Sequence, residues 1–277
     1  MSNFSNPNQH HSFQLHLKLP KSNTMSSTQT PIRVGVLYEG TQMTDLAGLD
    51  LLGNLTPQTI NLIIAMDPRF ASFAPHAIPM TFLYISSTME PAHVTPDMYV
   101  RPTHTYATAP RDLDILLLGG PNPATVNEES LVFLKEASKQ TKVILTTCTG
   151  GMWLARSGVL EGKKATTNRV MLGMAKNMFP GTEWVDRRWV VDEGWFDGAQ
   201  IWTAGGAGCG EFFLLLELQC GLRCICADIN VGIDMFIEYT YQNFDKKMVE
   251  FGCVGLDFDF EGRSEFYKGA LPDMTMT

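Results

Sequence analysis

Val143-Ile-Leu-Thr-Thr-Cys148-Thr-Gly-Gly-Met-Trp-Leu-Ala155 runs from a short apolar segment through a cysteine into small residues and then a helix-compatible stretch. That order predicts a strand, a sharp turn and a helix, with a thiol at the corner. It is the nucleophile-elbow arrangement, more familiar with serine, carried here by sulfur. The first N–H groups of a helix lack internal partners and favour a nearby anion. A cysteine in that place is expected to lose its proton at lower pH, and the thiolate is the reactive form. A structural core cysteine produces the same local pattern, so the corner alone leaves both readings open.

The segments around it extend the pattern. Leu113-Asp-Ile-Leu-Leu-Leu118 is a continuous apolar run stopped by Gly119-Gly120-Pro121, as expected of a parallel strand covered on both faces. Between it and the elbow, Val126 to Lys139 carries amphipathic helical spacing, and Lys142 to Thr147 is the strand leading to Cys148. Upstream, Ile32 to Tyr38 is strand-like, and Met43 to Leu55 follows with helical spacing. Asn61 to Met66 and Thr81 to Ile85 are further strand candidates, and residues 67–80 are expected to be loop. Downstream, residues 163–168 predict a short strand and turn. Trp184 to Asp192 and Ala199 to Ala204 have strand character around the turn residues Gly194 and Asp197-Gly198. Ala204 to Gly210 is glycine-dense and opens a predicted long helix to Leu222, and a second helix is predicted from Ala227 to Asn243.

Strands alternating with helices predict an α/β fold, a parallel sheet between two helical layers. Sites in such sheets lie at the carboxyl ends of strands. Gly119, Gly120 and Cys148 sit at predicted strand ends, and Asp45 lies just past the loop after the first strand. Three separate segments therefore point at one rim, and that convergence favours a catalytic Cys148.

Composition narrows the function classes. The chain has 277 residues, 44% hydrophobic and 18% charged, with a formal net charge of −8. The residues divide into a tail over 1–30, expected to be disordered, a domain over 31–245 and an irregular extension over 246–277. Phosphate binding needs clustered Lys and Arg; Lys163-Lys164 and Lys246-Lys247 are isolated pairs, so nucleic acid is not the expected partner. No apolar stretch is long enough to span a bilayer, and the first thirty residues lack a hydrophobic signal core. A cytoplasmic location is the expectation.

The six cysteines do not form a disulfide scaffold in a chain this long. Cys220, Cys224 and Cys226 lack paired-knuckle spacing and a nearby histidine, and packing along an apolar helix accounts for them. His76, His93 and His104 are scattered. No metal or cofactor is expected. The five tryptophans fit core or dimer-surface packing, with Trp195-Phe196 in a turn as an alternative pocket wall.

Taken in order, Val34-Gly-Val-Leu-Tyr38, Asp45-Leu-Ala-Gly48, Asp112 to Gly120, Thr147-Cys-Thr-Gly150, Gly158-Val-Leu-Glu-Gly162, Ala165-Thr-Thr167 and Ile201 to Gly206 resemble the ThiJ/PfpI superfamily, and within it most nearly the isonitrile hydratase-like branch. The resemblance covers roughly Ile32 to Glu238. It implies a flavodoxin-like three-layer sandwich with a mostly parallel central sheet, usually a homodimer, with a cysteine nucleophile at Cys148. It further implies an acidic partner at Asp45, a threonine of the branch at Thr149, and an anion pocket drawn from Gly119 or Gly120; Gly150 and Asn168 are further candidate oxyanion or substrate-binding residues. Glu39, at the same strand end, is a rival acid.

Three departures stand out. Thr149 replaces the histidine that peptidase-type members carry after the cysteine, which argues against proteolysis by a Cys-His pair. Asn168 replaces a histidine common after Ala-Thr-Thr. Cys209-Gly-Glu-Phe212 replaces Ala-Gly-Ile-Asp at the start of the late helix.

The resulting expectation is a cofactor-free enzyme acting on a small electrophile, converting an isonitrile to an N-formamide. The alternatives are a glyoxalase-like or biosynthetic lyase or hydrolase on the same cysteine, and a non-enzymatic redox-sensing or protective protein.

Overall fold

A computed structural model describes residues 30–206, 231–256, 258 and 265–266. Seven strands form the central sheet in the order β10-β11-β7-β6-β1-β2-β5. They are β1 (Ile32–Leu37), β2 (Met80–Ser86), β5 (His104–Thr105), β6 (Ile115–Leu118), β7 (Val143–Thr146), β10 (Trp189–Glu193) and β11 (Gln200–Ala204). Every pairing is parallel except the edge pair β10–β11. A hairpin, β3 (Ala92–Val94) with β4 (Met98–Val100), and a short parallel pair, β8 (Lys164–Ala165) with β9 (Glu183–Trp184), lie outside it.

The apolar run of β6 shows why the sheet sits in the middle. All four of its residues are buried, and they alternate between two cores. Ile115 and Leu117 join one cluster with Val34, Val36, Leu145 and Trp202. Leu116 and Leu118 join the other with Leu37, Ile144 and Ile201. A strand with apolar residues on both faces is stable only when both faces are covered. On the first face lie α1 (Gly48–Asn54), α2 (Pro57–Met66) and the helices Val231–Asn243 and Lys246–Val254. On the second lie α3 (Glu128–Ala137), α4 (Gly150–Arg156) and α5 (Leu172–Met178). The result is a three-layer α/β/α sandwich with a mostly parallel sheet, as expected.

Several elements differ from expectation. Residues 61–66 belong to helix α2, because Thr56 accepts the N–H of Thr59 as N-cap and Pro57 opens the first turn. Only Ile60 of that helix is buried, so its apolar run does not mark a strand. Residues 67–80, expected to be loop, include a 3-10 helix at Pro68–His76 whose Phe73 stacks on Phe251 at 4.3 Å between ring centroids. Residues 246–254, expected to be irregular, form a helix. Asp245 caps it at the N–H of Met248, and Met248, Val249 and Cys253 enter the first core. Glycine and acidic residues obscured a spacing that buries i, i+1 and i+5. Trp195 and Phe196 lie in the β10–β11 turn, next to the start of β11. Gln200 pairs with Val143 at the start of β7, so this turn sits at the opposite end of the sheet from Cys148 and does not wall its pocket.

Among the described residues no helix is long and apolar enough to cross a membrane. The tail over 1–29, Cys209, Glu211 and the Cys220–Cys226 group lie outside the described residues.

Candidate active site

Strand order places the site. In the sequence β11-β7-β6-β1, neighbouring strands end at Ala204, Thr146, Leu118 and Leu37. The residues just beyond these ends share one rim: Gly205, Cys148, Gly119 with Gly120, and the loop carrying Glu39 and Asp45. The register β1–β6–β7 brings Leu37, Leu118 and Thr146 side by side. Three distant pieces of chain therefore meet at the elbow.

Cys148 has φ of +54°, and of the described non-glycine residues only Asp97 also has positive φ. This left-handed conformation is unfavourable for a residue with a Cβ and persists only where the surroundings enforce it. Here the Cys148 N–H donates to Gly205 O at 2.6 Å, and the Thr167 hydroxyl donates to Cys148 O at 2.8 Å. The helix after the elbow opens on two glycines because backbone passes against it. A Cβ at Gly150 would lie 2.7 Å from Leu118 O, and one at Gly151 would lie 2.7 Å from Thr166 O.

Asp45 sits on the 3-10 turn Met43–Leu46 and is 1% exposed. Its Oδ2 accepts the N–H of Gly120 at 2.9 Å, and its backbone carbonyl accepts the hydroxyl of Thr147 at 2.9 Å. Gly120 is the meeting point: a Cβ there would be 2.6 Å from Asp45 Oδ2 and 2.8 Å from Thr149 N. Glu39 faces elsewhere. Its carboxylate accepts the Ser87 hydroxyl at 2.5 Å, the Ser87 N–H at 3.2 Å and the Tyr106 hydroxyl at 3.0 Å. Of the two candidate acids, the structure brings Asp45 to the elbow and ties Glu39 to the ends of β2 and β5.

The backbone donors are distributed unevenly. Gly119 N–H donates to Leu37 O, and Gly150 N–H donates to Thr147 O at 2.9 Å. Neither faces the sulfur. The Thr149 hydroxyl donates to Pro121 O at 2.6 Å, while the N–H and hydroxyl of Thr149 both favour the charged form of Cys148. Asn168 completes the shell: its Nδ2 donates to Cys148 Sγ at 3.3 Å. Its Oδ1 accepts the N–H of Val170 at 3.1 Å, which fixes the amide with its donor toward the thiol.

Electrostatics correct the expectation of an acidified thiol. Cys148 is 6% exposed. Burial, and then the charge of Asp45, push its pKa up to about 11 against the opposing pull of Asn168 and Thr149. Desolvation disfavours the thiolate more than these donors stabilise it. The Asn168→Ala variant is therefore expected to alkylate with iodoacetamide more slowly at pH 8, with its rate midpoint moved higher still. A pH–rate series of Cys148 alkylation checks the direction.

Among the described residues no group of three His, Cys, Asp or Glu side chains is placed to hold a metal. His76 lies near Asp245 and His93 near Asp97, so neither belongs to the rim around Cys148.

Residues 76–213 match the model of the DJ-1/PfpI family. That stretch is a DJ-1/PfpI family domain. The match runs from before β2 to past the elbow and β11. Over 146 residues the chain is 30% identical to an isonitrile hydratase of Pseudomonas putida, covering 52% of this chain and 59% of that protein. Over 90 residues it is 33% identical to the deglycase PfpI of Pyrococcus furiosus, covering 31% of this chain and 52% of that protein. The matched stretch thus spans little more than half the length of these curated relatives. A ThiJ/PfpI family protein from Pseudomonas syringae superposes with a TM-score of 0.57 at 18% identity, covering 94% of this chain and 88% of that one. Drosophila melanogaster DJ-1beta gives 0.55 at 16% identity, covering 83% of this chain and all of that one. These structural likenesses establish the fold.

Proposed function

We propose that this protein is a cofactor-free, cysteine-dependent hydratase that converts a small isonitrile to its N-formamide. The observation that carries the reading is the convergence of Asp45, Gly120 and Thr149 on the elbow of Cys148. The similarity to an isonitrile hydratase supports the substrate class.

Cys148 and Asp45 are buried together, and burial with the Asp45 charge keeps the proton on the Cys148 sulfur near neutral pH. Moving that proton from sulfur to Asp45 creates the thiolate and loads the acid in one step. Sulfur then bonds to the terminal carbon of the isonitrile, and the proton on Asp45 passes to that carbon, giving a thioimidate with no net change in charge. Water adds to the C=N bond. The C–S bond breaks, returning the thiol proton and releasing the formamide. One water is consumed per turnover. The Asn168 amide and the Thr149 N–H stabilise the thiolate whenever it is present, as attacker and as leaving group. The active assembly is proposed to be a homodimer, and the substrate a small neutral electrophile.

The second reading is a glyoxalase-like activity on 2-oxoaldehydes at the same sulfur, prompted by the similarity to relatives of a different activity, the deglycases. Its isomerisation moves a proton between adjacent carbons and needs a base on the substrate. Among the described residues at the elbow Asp45 is the one carboxyl group, and Asn168 supplies only a donor. That favours hydration, in which Asp45 delivers a proton to carbon, water supplies the N–H proton and none is removed from a carbon. Purified protein incubated separately with a cyclohexyl or aryl isonitrile and with methylglyoxal separates the two by NMR. Formamide without lactate is the expected result. Lactate without formamide assigns the second reading.

A further inference from the structure

The segment after β8 makes three successive contacts, and each has a separate target. Thr166 ties the segment to the scaffold: its N–H donates to Thr203 Oγ1 of β11 at 2.9 Å, and its hydroxyl donates to Arg187 O at 3.0 Å. Thr167 reaches the elbow backbone, donating its hydroxyl to Cys148 O at 2.8 Å. Asn168 reaches the sulfur. Thr166 and Thr167 are fully buried, so neither can meet substrate.

We propose that Thr167 is the positioning residue of this site, holding Cys148 in its left-handed conformation and setting the distance from the Asn168 amide to the sulfur. The proposal rests on the reading of Cys148 as the attacking group. The corner at Cys148 is held by over-determination. A positive φ at a residue with a side chain reverts to a relaxed conformation unless both flanking peptide units are held. The N–H side of Cys148 is held by Gly205 O, and the carbonyl side by the Thr167 hydroxyl. Removing the hydroxyl leaves a buried carbonyl without that donor and frees the peptide between Cys148 and Thr149 to rotate. The Thr149 N–H belongs to that same peptide, so its aim at the sulfur is lost with it. Because Thr167 and Asn168 are adjacent, the amide donor shifts as well. One hydroxyl thereby governs both groups that stabilise the thiolate.

The test compares Thr167→Val, which keeps the shape and removes the hydroxyl, with Thr167→Ser, which keeps the hydroxyl. Iodoacetamide alkylation of Cys148 is followed from pH 7 to 11.5 on the full chain, together with the melting temperature. This readout needs no substrate, so it stands whether or not isonitriles turn over. Thr167→Val is expected to alkylate about 10- to 100-fold more slowly at pH 8, the scale of a misplaced reacting group, with its midpoint moved upward. Thr167→Ser is expected to follow the wild-type profile. A purely structural role lowers the melting temperature of Thr167→Val and leaves its pH profile in place, which overturns the proposal. Equal impairment of Thr167→Ser overturns it too. If the valine variant does not fold, Thr167→Ala carries the same prediction, and a wild-type profile in it is equally decisive.

Discussion

Cys148→Ser is expected to abolish formamide production from isonitriles, lowering turnover by about four orders of magnitude or more, as removal of a nucleophile does in other covalent enzymes. The oxygen fits the same left-handed corner, so the fold is expected to persist, and circular dichroism and the melting temperature serve as controls. The loss follows from chemistry rather than geometry. A serine hydroxyl in this pocket has no imidazole beside it among the described residues, and an alcohol gives up its proton far less readily than a thiol. Full activity in the serine variant would refute the thiol as attacker.

Asp45→Asn is expected to lower turnover by about 10²- to 10⁴-fold, the usual contribution of a positioned acid–base group. The amide remains isosteric, and its oxygen can still accept the Gly120 N–H, so the 3-10 turn and the elbow stay in place. What is removed is the carrier of the proton between sulfur and substrate carbon. Steady-state kinetics are expected to show the loss in kcat with KM little changed. Glu39→Gln, which alters the carboxylate bound to Ser87 and Tyr106, is expected to leave kcat within a few-fold of wild type. Reversed effects for the two variants would move the acid to Glu39.

Much of the fold is legible in the chain because the central strands are covered on both faces. Val34 to Leu37, Ile115 to Leu118 and Val143 to Thr146 are continuous runs, and their burial in two cores is the physical reason they are. Periodicity fails where burial is partial. Asn61 to Met66 looks like a strand by composition, yet it is a capped helix with one buried residue. The helix at Lys246–Val254 is obscured by Glu250, Gly252 and Gly255, whose chemistry suggests a loop. The convergence of Cys148, Gly120 and Asp45 on one rim follows from strand order, so the parallel-sheet rule anticipates it. The choice between Asp45 and Glu39 does not follow from spacing, because both leave β1 within one loop. Hydrogen bonds across 75 residues, from Gly120 to Asp45, separate them. A helix start alone predicts an acidified thiol; burial and a neighbouring carboxylate reverse that sign. Thr167 carried no signal beyond lying in Ala165-Thr-Thr167, since a hydroxyl aimed at a carbonyl has no pattern in the chain.

The partnership of Cys148 with Asp45 is the centre of this account, and the pH dependence of Cys148 alkylation in wild type and Asp45→Asn tests it without reference to any substrate. In wild type the rate is expected to rise toward a midpoint near pH 11, the value set by burial and the carboxylate charge. Asp45→Asn removes that charge, so its midpoint is expected to fall and its rate at pH 8 to rise, even as its turnover drops. Superimposable profiles for the two proteins would contradict the pairing.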